Sequence, residues 1–292
     1  MERPYERSAD IDVEEPVLVL GMEGWIDAGL GASAAMASLL ATGPTESVAT
    51  WDPDLFVDYR DRRPVVRIAD GVTEGISWPS IELRAGADRA GRHVLALVGP
   101  EPDMRWHTFV ASVVELGSEL GVRLVAAFGA FPISVPHTRP VRLAATSRSA
   151  ELAGQIGVVQ GTITVPSGIH AAILEGFADA GVPAVGLWAR VPHYAAAMPY
   201  PAASAALVEG LAAVAELDLD ASGLHGAAAL TASRIDELIA SSDEHQEMVR
   251  RLEAAVDAEA EPPPFDAADL PTGDQIVAEL ERFLRGEGGA GS

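Results

Sequence analysis

Three times in the first half of the chain a short apolar run, rich in Val and Leu, closes on a glycine. The runs are Val17-Leu18-Val19-Leu20 before Gly21, Val94 to Val98 before Gly99, and Val122 to Phe128 before Gly129. Runs of this length, bounded by Gly, read as strands buried on both faces. A helical pattern follows the first two. Ala28 to Ala41 is rich in Ala, Leu and Met and stops at Gly43-Pro44. Met104 to Leu120 places Phe109, Val110, Val113, Val114, Leu116 and Leu120 on one face, with Gly121 at the helix exit. Val48 to Trp51, Val141 to Thr146, Ile163 to Pro166 and Val185 to Ala189 are expected as further strands, with a helix from Ile169 to Ala180. Strand–helix–strand repetition predicts an α/β fold, a mostly parallel sheet with helices on both faces. Asp52 to Ser80 breaks the rhythm. It reads as a loop and hairpin excursion, with Val65 to Ile68 and Ile76 to Trp78 as short strands.

The pattern changes after Pro201. Ala202 to Leu217 reads as a helix. Leu230, Ile235, Leu238, Ile239, Met248, Val249, Leu252 and Val256 are expected to line one continuous amphipathic helix from Leu230 to Val256. Glu259 to Pro264 reads as a stiff linker, Thr272 to Leu284 as a capped helix and Gly286 to Ser292 as a disordered tail. The expected division is an α/β domain over residues 1–217 and a C-terminal helical extension over residues 218–292.

Charge narrows the function classes. The chain carries 43 acidic and 20 basic residues, a formal net charge of −23. Such a surface repels phosphate, which argues against nucleic acid and anionic membranes as partners. Cysteine is absent, so thiolate chemistry, disulfides and cysteine metal sites are excluded. The N-terminus has no apolar run behind a basic head, and a cytoplasmic protein is the expectation.

Several segments carry chemistry worth weighing. The glycine-rich stretch Gly21 to Gly31 joins a strand to a helix, where phosphate sites form. Glu23 and Asp27 lie inside it and would repel a phosphate, so Asp27 as a helix cap is the favoured reading. Glu101 and Asp103 follow the next buried strand, where Asp103 reads as the helix cap and both carboxylates sit at a ligand-binding edge. The loop Phe131 to Pro140 places His137 and Arg139 together at that same edge. They are suited to an acidic ligand or a partner carboxylate, or to pairing with neighbouring acids. As loop residues they are expected to carry little core burial. His137, His170 and His193 show no metal-ligand spacing, and no nucleophile elbow is present. No metal or cofactor is therefore expected. Val191 to Pro201, with His193, Tyr194, Met198 and Tyr200 braced by prolines, has the composition of a contact surface.

Taken in order, three segments resemble the PAC2 family, named for proteasome assembly chaperone 2. They are Gly24-Trp25-Ile26-Asp27-Ala28-Gly29, Val135-Pro136-His137-Thr138-Arg139-Pro140, and Val191-Pro192-His193-Tyr194 with Pro199-Tyr200-Pro201. Leu270 to Asp274 is similar to the tail of its actinobacterial branch. The resemblance implies a three-layer α/β/α sandwich of the phosphorylase/hydrolase-like class with added C-terminal helices. It also implies self-association or pairing with a related subunit, with a trimer as one expected count, and a scaffolding or chaperone-like role linked to 20S proteasome subunits. In eukaryotes the family's C-terminal anchor is a hydrophobic–Tyr–any motif, and Gly289-Ala290-Gly291-Ser292 departs from it. Trp25, Asp27, His137, Arg139, His193 and Tyr194 are the candidate ligand- or partner-binding residues. The competing reading is a small-molecule binder or enzyme that uses those side chains around a nucleoside-like or anionic ligand.

Overall fold

The computed structural model describes residues 3–8, 11–24, 26–158 and 161–258. β1 (Tyr5–Arg7) and β2 (Val17–Glu23) are followed by α1 (Gly31–Leu40), β3 (Glu46–Trp51) and the short α2 (Pro53–Phe56). β4 (Val65–Ala69) and β5 (Val72–Ser77) form a separate two-stranded sheet. Then come β6 (Ile81–Ala87), β7 (His93–Pro100), α3 (Trp106–Glu119), β8 (Leu124–Ile133), β9 (Leu143–Thr146), α4 (Ala150–Ile156) and α5 (Ile169–Asp179). β10 (Ala184–Pro192), α6 (Pro201–Ala215), α7 (Ser222–Ala240) and α8 (Asp243–Ala258) complete the described chain.

The main sheet has the strand order β1-β3-β6-β7-β2-β8-β10-β9. β2 runs parallel to both β7 and β8, while β6 is antiparallel to β7 and to β3. β3, β7, β2 and β8 thus point one way, and β1 and β6 the other. This is the expected α/β class, a large, mostly parallel sheet flanked by helices, with further helices at the C-terminal side. No described helix is long and apolar enough to cross a membrane.

Two compact units divide the chain. The first comprises Met1–Trp25, Leu40–Ala127 and Ser167–Gly186. Its centre is β2, whose Val17 to Leu20 are at most 1% exposed. Val17 to Leu20 pair with Val94 to Leu97 on one side and Leu124 to Ala127 on the other. Around them an aromatic chain runs from Tyr5 to Trp51, Phe109 and Phe56, with ring centroids 5.2–5.5 Å apart. The buried Trp51 indole donates to Ser112 Oγ at 2.8 Å, and that hydroxyl donates to the Phe109 carbonyl at 2.7 Å. No polar atom of that cluster's tryptophan is stranded, which keeps its large apolar contribution intact. β6 was not expected from the pattern, yet Ile81, Leu83 and Ala85 are buried and alternate with Glu82, Arg84 and Gly86.

The second unit comprises Ile26–Leu39, Phe128–Pro166 and Leu187–Ser292. α6 is apolar nearly all round and buries Ala203, Ala205, Leu207, Val208, Leu211 and Ala215. The expected single helix from Leu230 to Val256 is two helices, broken at Ser241-Ser242. The apolar spacing lapses between Ile239 and Met248, and Asp243-Glu244 supply the acids that favour a new helix N-terminus. Ile163 to Pro166 is not a strand: Thr164, Val165 and Pro166 lie exposed, and among the described residues the segment has no ladder partner. α4, also not expected, is capped by Ser149, whose Oγ accepts the Leu152 N–H at 3.2 Å. The linker, helix and tail expected over residues 259–292 lie outside the described residues.

Gly99 tests the register of β7. Its φ is +122°, and a Cβ there would lie 2.2 Å from the Ser80 carbonyl oxygen. Gly99→Ala is expected to cost about 2–4 kcal/mol through backbone strain plus a clash with backbone atoms that cannot yield. The thermal midpoint should fall by roughly 3–7 °C for a chain of this size. Gly91→Ala, at φ +84° with open space around it, isolates the strain and should cost only about 1 kcal/mol.

Candidate functional site

The loop between β8 and β9 carries the imidazole and guanidinium singled out in the sequence. Both are engaged within the second unit. His137 is buried, its side chain 2% exposed, which corrects the expectation of little burial. Its backbone N–H donates to Tyr194 Oη at 2.8 Å, and its Nδ1 lies 2.8 Å from the same oxygen. Its Nε2 lies 3.0 Å from Asp236 Oδ1 on α7. One protonation pattern satisfies every group: Nε2–H donates to Asp236, and the Tyr194 hydroxyl donates to Nδ1 while accepting the backbone N–H. Burial pushes the Tyr194 phenol well above its ordinary value, so it stays a donor.

Arg139 faces α8. Its Nε and Nη2 donate to the two oxygens of Asp257 at 2.8 and 2.6 Å, and its Nη1 to Glu253 Oε1 at 3.2 Å. Thr138 Oγ1 also donates to Glu253. Glu253 and Asp257 are four residues apart, hence on one helix face, and the planar guanidinium fits the Asp257 carboxylate as a fork. These hydrogen bonds raise the Arg139 pKa and lower that of Asp257. The loop is a clamp on α7 and α8, which bury only Ile235 and Ile239, and Val249, respectively.

Asp27 is a cap, as expected. Its two oxygens accept the Ala32 and Ser33 backbone N–H groups of α1 at 2.7 and 3.0 Å, and the Ser33 hydroxyl as well. The carboxylate occupies the position a phosphate would need at this helix end. Two residues on, Gly29 bonds to the segment after Tyr194: its N–H donates to the Ala196 carbonyl at 2.6 Å and its carbonyl accepts the Tyr200 N–H at 2.8 Å. Gly29 has φ +63°, and a Cβ there would lie 2.6 Å from Tyr200 Cβ, so only glycine fits. His193 stacks edge-on against Tyr194 at 5.3 Å, and its Nδ1 is buried without a partner. Trp25 lies outside the described residues.

The cleft beside this loop is lined by Pro136, Arg139, Arg142, Arg190, Pro192 and Tyr200, among others, and encloses about 20 Å³. That is little more than one water requires and far from the several hundred Å³ of a ligand pocket. In the first unit the strand-end carboxylates are also spent internally. Glu101 accepts the Ile169 N–H at 2.6 Å, at the start of α5. Asp103 does not cap α3 as expected; it accepts the Asp58 N–H at 2.7 Å and Arg62 Nε at 3.3 Å. His170 Nε2 accepts the Met22 N–H at 3.0 Å. Among the described residues no group of three or more His, Asp or Glu side chains is arranged to hold a metal ion. The signal missed in the sequence is the acid set on the late helices: Asp236, Glu253 and Asp257 are ordinary surface carboxylates until the fold brings His137 and Arg139 to them.

Comparison with known proteins is consistent in direction. The PAC2 family profile matches residues 21–239. A Corynebacterium glutamicum protein of unknown function superposes with TM-score 0.84 at 31% identity, covering 89% of this chain and 99% of that one. A Mycobacterium tuberculosis proteasome-assembly chaperone homologue gives TM-score 0.74 at 35% identity, over 80% of this chain and 99% of its own. A PAC2 family protein from Streptomyces avermitilis gives 0.70 at 33% identity, over 80% and 99%. No curated protein matches the sequence.

Two measurements probe the clamp. His137→Ala leaves the Tyr194 hydroxyl and the Asp236 carboxylate without their shared partner and should cost about 1–3 kcal/mol in chemical denaturation. The second uses Tyr200, 4% exposed, whose phenol burial pushes up to about 12. The unfolded phenol ionises near 10, so the stabilisation is complete below that pH and is lost as pH rises towards 12. Tyr200→Phe should flatten the fall in stability between those pH values by an amount on the order of 2 kcal/mol.

Proposed function

The chain belongs to the PAC2 family, and on that footing we propose that it is a chaperone-like binding protein that associates with itself and with proteasome subunits. The observation that carries this reading is the internal pairing of the polar loop: His137 with Tyr194 and Asp236, and Arg139 with Glu253 and Asp257. Side chains committed in this way position helices rather than await a substrate. The relative described as a proteasome-assembly chaperone homologue supports the choice of partner.

In this reading the clamp sets the angle at which α7 presents its outer side. Leu230 and Leu238, two turns apart on that helix, are 67% and 46% exposed. Exposed Leu residues on a surface that is otherwise acidic suit contact with a partner's apolar groove. His193 and Tyr194 stand beside the clamp and belong to the same proposed contact region. The cleft of about 20 Å³ gives the small-molecule reading no comparable support.

The test is size exclusion with light scattering on the full chain, mixed with free 20S α subunits and with assembled core particle. Co-elution with either is expected, and the Leu230→Asp, Leu238→Asp double variant should weaken it by at least tenfold. Wild-type protein that co-elutes with neither would overturn the proteasome partnership.

A further inference from the structure

All 20 basic residues of this acidic chain are arginines. Three of them, Arg139, Arg142 and Arg190, line the small cleft of the second unit. Arg139 comes from the loop between β8 and β9, Arg142 directly precedes β9, and Arg190 lies in β10. The Arg190 N–H donates to the Arg142 carbonyl at 3.2 Å, which sets these two residues side by side on neighbouring strands. Arg142 is exposed, while Arg139 and Arg190 are half-buried, with Arg190 Nε shielded from water.

The cleft differs in charge from the chain that carries it. Among the described residues, no aspartate or glutamate lines it. The acids that hold Arg139 are Glu253 and Asp257 on α8, and neither is a lining residue. A concave site lined by one sign of charge focuses its field on whatever enters. In a chain of net charge −23, a concentration of arginine away from the acids suits an anion.

Size and wall chemistry say which anion. About 20 Å³ holds little more than one water. A head group fits, and the molecule that bears it stays outside. A carboxylate is small and planar, and a guanidinium meets it with two parallel N–H donors. A phosphate is bulkier and more highly charged, so the acidic surface around the cleft opposes it more strongly. The remaining walls include Pro136, Pro192 and Val256, with the Tyr200 phenol beside them. Prolines hold such walls in place before anything binds, which lowers the entropic cost of docking. A free small acid would leave this apolar rim uncovered. The end of a polypeptide brings a carboxylate and an adjoining side chain together, and capture of a C-terminal carboxylate is a recurring mode of peptide recognition.

We propose that this cleft receives the C-terminal carboxylate of a partner polypeptide that ends in an apolar residue. Arg142 and Arg190 donate to the carboxylate, and the last side chain packs on Pro136, Pro192 and Val256. Arg139 adds positive charge while remaining bonded to α8. The contact is separate from the outer side of α7 and does not require the partner to be a proteasome subunit.

The test offers the immobilised full chain, at low salt, two randomised mixtures of N-acetylated hexapeptides. One mixture ends in free carboxylates and the other in amides, and mass spectrometry identifies what is retained. Peptides with a free carboxylate and an apolar last residue should be enriched about tenfold over their amides, since the charged hydrogen bonds are lost with the charge. One retained peptide is then titrated calorimetrically. The Arg142→Gln, Arg190→Gln double variant should bind it at least tenfold more weakly, with an unchanged circular dichroism spectrum. Arg142→Gln alone, at an exposed position, gives the same loss in part should the double variant fail to fold. Arg142→Lys keeps the charge without the fork and should restore only some of the affinity. Leu230→Asp should leave peptide binding unchanged. Retention of neither mixture, or of both equally, overturns the proposal. Acetate that displaces the peptide when present at the same concentration reveals a site for any small anion and overturns the chain-end reading. Binding that survives the arginine variants places the peptide elsewhere and overturns the cleft. Co-elution with proteasome subunits is read in its own experiment, so either result leaves the other standing.

Discussion

A strand bonded along both edges and sealed from water cannot leave a backbone group unpaired, and β2 is that strand. Val17 to Leu20 are at most 1% exposed and bonded to β7 and β8. Buried amides and carbonyls without partners cost more than most single contacts return. The carboxyl end of β2 is held just as firmly, with the Met22 N–H given to His170 and the Glu23 carbonyl accepting the Glu101 N–H at 2.9 Å. In open α/β sheets this edge is where ligands bind. Here Glu101, Asp103 and His170 each accept a backbone N–H, which ties that edge into the fold.

The second unit repeats that economy with different residues. α8 buries one side chain, and apolar area alone would hold it weakly. The fork from Arg139 to Asp257, with Glu253 beside it, adds a direction as well as an attraction. His137 does the same for α7 through Asp236, with Tyr194 completing its hydrogen bonds. An exposed ion pair contributes little stability; the consequence of this one is orientation, since a planar group bonded at both ends permits few helix placements.

The acidity of the chain constrains what can approach it. A net charge of −23 disfavours nucleic acid and also disfavours a second copy.

Periodicity alone carried the central strands, α1, α3, α5 and α6, because a buried strand or an amphipathic helix writes its environment into residue spacing. Asp27 as a cap was legible for the same local reason. β6 lay within reach as well, in the alternation of Ile81, Leu83 and Ala85 with polar or small residues, and so did the break at Ser241-Ser242, in the lapse of apolar spacing after Ile239. The isolated run Ile163 to Pro166 shows the limit: strand propensity without a neighbour to bond produces no strand. The partners of His137 and Arg139 were not legible at all. Asp236 is 99 residues from His137, and Asp257 is 118 from Arg139. Nothing in local spacing distinguishes those acids from the chain's other carboxylates. By itself, then, the sequence determined the fold class, the acidic character and the family. Whether its one imidazole–guanidinium loop would face a ligand or grip its own helices was decided by tertiary structure, because that depends on which distant carboxylates the packed helices deliver.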